Sequence, residues 1–80
     1  MVVGVRILPR KEVLDTQGRA VEQTLKSHGF ELTQCRVGKY IELDLAETSE
    51  QKAFEKIKAM ADFVLYNPLI ETYELEAIQK

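Results

Sequence analysis

Two short clusters hold the residues whose types and spacing could do chemistry. Gln17-Gly18-Arg19 falls where a helix begins. Free backbone N–H groups at such a terminus, with a cation beside them, can hold an anion. Arg36-Val37-Gly38-Lys39-Tyr40 places Arg36 and Tyr40 on one face of a strand, a pair suited to a carboxylate or a partner protein. Each cluster also has a plainer reading. Asp15 already caps the first terminus, and one glycine is not a phosphate loop. Arg36 and Tyr40 would be ordinary on a solvated sheet face. Lys39 has the parity of the apolar side, which makes sense at a bend or an interface.

Catalytic groupings are harder to assemble. Cys35 lies on the apolar side of its strand, where a free thiol usually packs as a small hydrophobe. His28, the single histidine, ends a helix, and no Asp or Ser is placed to complete a triad with it. Glu74 and Glu76 alternate along a strand in an ordinary way and do not read as a glycosidase pair. Tyr66 and Tyr73 read as core and interface aromatics. One cysteine excludes an internal disulfide and a cysteine-based zinc cage.

The elements that must position these residues follow from periodicity. Val3, Val5 and Ile7 alternate with Gly4 and Arg6 as a half-buried strand closed by Pro9. Asp15 caps a helix whose Val21 and Leu25 share a face, and His28-Gly29 ends it, with Phe30 as an apolar clasp. From Glu31 to Ala46 one parity holds Cys35, Val37, Ile41, Leu43 and Leu45, and the other Gln34, Arg36, Tyr40, Glu42 and Asp44. A hairpin at Gly38-Lys39 would pair Cys35 with Glu42 and set charge on the apolar face. One long strand, bent or bulged at Gly38, keeps that face apolar. Thr48-Ser49-Glu50-Gln51 opens a second helix in the manner of a capping box. Its apolar stripe is Ala53, Phe54, Ile57, Met60, Ala61, Val64 and Leu65, and Asn67-Pro68 stops it. Tyr73, Leu75 and Ala77 mark the last strand. The expected fold is α+β, in the order β-α-β-α-β, with two helices on one face of an antiparallel sheet and residues 1–80 forming a single domain.

The chain has 80 residues, 45% hydrophobic and 30% charged. A chain of this size buries only about 60–65% of its unfolded surface and has a radius of gyration of about 12 Å. That leaves no room for a deep private active site. With 11 Lys+Arg against 13 Asp+Glu the net charge is −2, so the basic excess that drives nucleic-acid binding is missing. No window approaches the ~20 apolar residues of a membrane span, and the first residues lack a signal-peptide pattern. The expectation is a cytoplasmic domain with no nucleic-acid or membrane partner.

The middle strand points to a second copy. About 14 residues at ~3.3 Å each span roughly 45 Å, more than such a domain is wide. An unpaired edge is a liability in a soluble protein. One half of the strand is therefore expected to pair within the chain and the other half across a homodimer or dimer of dimers, with Gly38, Ile41 and Leu43 at the shared interface. The rival reading is a ferredoxin-like monomer.

Three segments resemble a known family. Val13-Leu14-Asp15-Thr16-Gln17-Gly18-Arg19-Ala20-Val21-Glu22 is similar to the helix motif VLDPQGxAVE, Arg36-Val37-Gly38-Lys39 to the strand motif RxGK, and Asn67-Pro68-Leu69-Ile70-Glu71-Thr72-Tyr73-Glu74 to the ending NPVIExYE. In order and at the right spacing, they span nearly the whole chain and resemble PurS, the small accessory subunit of phosphoribosylformylglycinamidine synthase in purine biosynthesis. Thr16 stands where the family usually has Pro; this weakens a helix start only. The resemblance implies a non-catalytic role in a complex. There a glutaminase subunit releases ammonia, and a large synthetase subunit holding ATP and Mg²⁺ uses it to amidate formylglycinamide ribonucleotide. A dimer of the small subunit joins the two and assists ammonia transfer. No cofactor of this chain's own is implied. Gly18, Arg19, Arg36, Lys39 and Tyr40 are the expected partner-interface residues, since they sit in the motifs without being needed for a core. The alternative is a free-standing ACT-like module that binds a small metabolite. An acylphosphatase-like enzyme would need an anion-cradling loop after the first strand, and Pro9-Arg10-Lys11-Glu12 lacks the glycines for one.

Overall fold

In the computed structural model, which describes residues 1–78, the alternation of Val3, Val5 and Ile7 becomes β1 (Val2–Pro9), the central strand of a three-stranded sheet. The last two positions of the expected domain lie outside the described residues. β1 is followed by α1 (Thr16–Ser27), β2 (Lys39–Asp44), α2 (Glu50–Met60) with a π-wound extension over Ala61–Leu65, and β3 (Glu71–Ile78). The sheet order is β2-β1-β3 and both pairings are antiparallel. The β-α-β-α-β order is the expected one.

Register explains the core. Val3 pairs with Leu43 and Ala77, Val5 with Ile41 and Leu75, and Ile7 with Lys39 and Tyr73. Side chains alternate along a strand, so these trios share one face. Ala53 and Ile57 of α2, both fully buried, close over it. Burying a Val or Ile side chain stabilises by about 1.5–3 kcal/mol, so this thin cluster carries much of the fold. Tyr66 and Tyr73 add an edge-on ring pair with centroids 4.7 Å apart. The opposite face is polar around a gap at Gly4, over which the Tyr40 ring lies.

Both helices start at the expected caps. Asp15 accepts the Gly18 N–H at 2.8 Å, and Ser49 Oγ accepts the Lys52 N–H at 3.4 Å. α1 ends in a Schellman arrangement: Phe30 N–H bonds Leu25 O, Gly29 N–H bonds Lys26 O, and Gly29 takes φ 89°. Phe30, expected as an apolar clasp, is 61% exposed.

Several expectations need correction. α1 adds no residue to the core cluster; only its Gly18 is buried, and Val21 is 42% exposed. The apolar stripe of α1 is thus uncovered within the chain. The apolar stripe of α2 fails at its end because the wider π turn swings Val64 out to 70% exposure and Phe63 to 88%. Of the long middle strand, the half expected to pair within the chain does so, over Lys39–Asp44. β1 ends at Pro9, which has no N–H to donate, so residues 34–38 run on without a strand partner in the chain. Gly38 precedes β2 and does not bulge it; a Cβ there would strike the Ile7 carbonyl. With one helix layer on three strands and α1 standing off, the radius of gyration is 15.6 Å and the extents are 47 × 30 × 15 Å, longer than a compact 80-mer.

Candidate functional site

The three motif segments meet at the end of β1. Asp15 makes the first junction. Its Oδ1 accepts the Gly18 N–H, and its Oδ2 accepts the Val37 N–H at 2.9 Å. One turn pair further along α1, Glu22 Oε1 accepts the Cys35 N–H at 3.2 Å. The α1 cap residue Asp15 and Glu22 within α1 thereby satisfy alternate amides of the unpaired segment, as a neighbouring strand would. Buried N–H groups need some such partner. The helix can lie this close because residue 18 is glycine: a Cβ would fall on Asp15 Oδ2 and 2.5 Å from the Cys35 carbonyl. The two amide bonds, Val37 first, hold the Asp15 carboxyl below the usual carboxylate range, with Arg36 adding to the effect and desolvation opposing it.

The second junction runs through arginines. Arg36 Nη2 donates to the Pro9 carbonyl. Arg10 Nε donates to the Pro68 carbonyl at 2.9 Å, and Arg10 N–H to Ile70 O at 2.8 Å. Asn67 organises that turn by accepting the Leu69 N–H on Oδ1 at 3.0 Å. Between the junctions lies a cleft of about 240 Å³ whose walls include Arg10, Lys11, Leu14, Arg19 and Arg36.

Lys39, Tyr40 and Gly38 line a separate depression of about 310 Å³ with Arg6, Ile7 and Leu8. Tyr40, 48% exposed, donates its hydroxyl to Glu76 Oε1 at 3.2 Å. Partial desolvation and that carboxylate raise the Tyr40 hydroxyl above its usual pKa. Arg6 lies 3.4 Å from Glu74 and 3.7 Å from Glu76, completing a polar face opposite α2. Among the described residues, no three His, Cys, Asp or Glu side chains converge as metal ligands. The His28 ring lies 2.8 Å from Thr24 O, and Cys35 is half-buried beside α1. Neither is bonded to the other.

A family model for PurS, described as phosphoribosylformylglycinamidine (FGAM) synthase, matches residues 2–79. The chain belongs to the PurS family. The PurS subunit of phosphoribosylformylglycinamidine synthase from Synechocystis is 41% identical over 68 residues, covering 84% of this chain and 68% of its own length. The Bacillus subtilis subunit is 37% identical over 75 residues, 92% of this chain and 88% of its own. Among solved structures, Methanocaldococcus jannaschii PurS superposes with a TM-score of 0.84 at 30% identity, covering 94% of this chain and 92% of that one. A chain of the Thermotoga maritima PurLQS structure gives a TM-score of 0.86 at 29% identity, covering 94% and 93%.

The PurS-like motifs are thus parts of one junction. Of the expected partner residues, Arg19 and Arg36 share the cleft, and Lys39 and Tyr40 occupy the neighbouring depression. Gly18 is buried against its own chain, beside Asp15 and the Cys35 carbonyl. Ile41 and Leu43, expected at a dimer interface, are half-buried against the chain's own core cluster. The sequence reading missed Arg10 and Lys11 as wall residues and Glu22 as a clamp. Arg10-Lys11 carries a visible signal, two adjacent cations directly after a strand, which the glycine requirement of a phosphate loop does not capture. Glu22 had none, because its partner is a backbone amide 13 residues away.

Proposed function

We propose that this chain is the small, non-catalytic accessory subunit of phosphoribosylformylglycinamidine synthase. In this reading it bridges the glutaminase and the ATP-dependent synthetase subunits and assists ammonia transfer between them. The observation that carries the proposal is the match, over nearly the whole chain, to a chain of the Thermotoga maritima PurLQS structure. The site geometry supports it. The polar groups that meet at the end of β1 are tied to backbone amides and carbonyls, an arrangement that fixes a surface and activates no nucleophile. ATP and Mg²⁺ belong to the synthetase subunit, so the chain needs no cofactor of its own.

The same reading includes a homodimer or dimer of dimers in the cytoplasm. Both β2 and β3 are sheet edges, residues 34–38 lack a strand partner, and the Ala20, Val21 and Leu25 side of α1 is uncovered. Each is a surface that a second copy would cover.

Co-purification tests the proposal. The glutaminase and synthetase subunits, mixed with ATP and glutamine, should elute as one species when the chain is present and separately when it is omitted. Elution of the two together without it, or of the chain apart from both, would overturn the reading.

A further inference from the structure

The cleft at the end of β1 has an unbalanced charge. Its acids are already engaged: Asp15 holds the Gly18 and Val37 amides, and Glu22 holds the Cys35 amide and lies 3.2 Å from Lys26 Nζ. Its cations are not. Arg10, Lys11, Arg19 and Arg36 form no ion pair among the described residues. Arg10 and Arg36 are instead pinned by the Pro68 and Pro9 carbonyls, each through one of a guanidinium's five N–H donors. They are held in place with most donors free, and the cleft sets four cations against the two carboxylates of Asp15 and Glu22. Leu14, 65% exposed, forms an apolar step on the same wall. On the far side of Arg10, Lys11 and Arg36, Glu12 and Glu74 line a second depression, which limits the cationic surface to the Arg19 side.

We infer that this cleft docks an acidic segment of a partner subunit, an extended peptide with at least two Asp or Glu side chains beside an apolar residue that covers Leu14. The inference rests on the accessory-subunit reading and names the chemistry of the contact. Planar guanidiniums bind carboxylates in a bidentate manner. A phosphate cradle would offer converging backbone N–H groups, and the Gly18, Cys35 and Val37 amides are already occupied by the chain's own carboxylates. The cations also come from three separate places, the β1–α1 loop, α1 and the 34–38 segment, so they are spread along the walls as a peptide's charges would be.

The test uses Lys11→Glu/Arg19→Glu, two exposed residues whose side chains form no ion pair among the described residues, and Lys58→Glu on α2 as a control. Binding of the purified chain to the glutaminase and synthetase subunits is measured at low and high NaCl. The double variant should bind about tenfold or more weakly, mainly through slower association, and lose much of the salt dependence; Lys58→Glu should behave as wild type. In parallel, a fluorescent hexaglutamate peptide should bind wild type and not the double variant, and inorganic phosphate at equal charge concentration should not displace it. Wild-type-like assembly of the double variant, with an unchanged salt slope, overturns the inference. Displacement by phosphate also overturns it, in favour of a small-anion site. Failure of wild type to assemble at all would instead defeat the accessory-subunit reading and, with it, the named occupant.

Discussion

Asp15 and Val37 are 22 residues apart in sequence, yet the aspartate Oδ2 accepts the Val37 N–H at 2.9 Å while Oδ1 caps α1. One carboxylate thus joins two of the family motifs. Asp15→Asn separates its roles, since an amide oxygen can still cap the helix but an amide nitrogen cannot accept from Val37. The variant should keep the α1 helical signal and expose the Val37 amide to faster hydrogen exchange. An unchanged exchange rate would contradict the junction.

The same bond has a pH signature. The folded-state pKa of Asp15 is lowered from the ordinary 3.8, so the folded state binds this proton less tightly than the unfolded chain does. Its contribution is therefore fully present above the ordinary value and disappears as pH falls through the lowered one. Urea midpoints of wild type and Asp15→Asn should differ by a constant amount from neutral pH down to the ordinary carboxylate range and converge below it. Divergence on acidification would have the wrong sign.

Gly18→Ala reverses the usual helix rule. In an open helix the change would be favourable by about 1 kcal/mol. Here the new Cβ meets the Asp15 carboxylate and stands 2.5 Å from the Cys35 carbonyl. Overpacking of this kind costs about 1–3 kcal/mol, so chemical denaturation should show a less stable protein. A more stable one would mean that α1 and the 34–38 segment are not in contact.

The thin core makes Ile57 decisive. It is fully buried on the Val3-Val5-Ile7 face, and truncating such a side chain to Ala costs about 2–5 kcal/mol. A domain of this length has only about 4–12 kcal/mol in total. Ile57→Ala should lose much of its stability, whereas Val21→Ala, on the uncovered side of α1, should lose little under conditions where the chain is monomeric. Equal losses would place α1 in the core.

Ile41→Lys and Leu43→Lys should both lower stability, because each side chain packs on the chain's own core cluster. They cannot by themselves report on a dimer. Sedimentation of wild type does so: a mass of two or four chains at micromolar concentration is expected, and a monomer at high micromolar concentration would refute the shared-sheet arrangement.

The strands were legible in the sequence because period-2 alternation fixes both their existence and the face they bury. Asp15, Ser49 and Gly29 announced the helix ends through local chemistry alone. Over residues 31–38 parity records which side of an extended chain is apolar but not which neighbour supplies a ladder; β1 ends at Pro9, so this half of the expected long strand has no partner within the chain. Val64 misled because a π turn changes the angular step within a stripe that reads as regular. At the site, Arg19 and Arg36 were visible as motif cations without core duties. Gly18 carried an ambiguous signal, because a close approach by the chain itself and one by a partner leave the same trace. Glu22 and Arg10 act through long-range bonds to backbone groups, which carry no residue-type signal.

The central claim, that the chain is an accessory subunit serving ammonia transfer, is tested most directly by the ratio of two rates. Purified glutaminase and synthetase subunits are assayed for formylglycinamidine ribonucleotide synthesis with glutamine or with ammonium as nitrogen donor, with and without the chain. Omitting the chain should abolish most glutamine-dependent synthesis and reduce ammonia-dependent synthesis far less, and Arg36→Ala and Lys39→Ala should shift the ratio in the same direction. Glutamine-dependent synthesis that proceeds equally well without the chain would contradict the account.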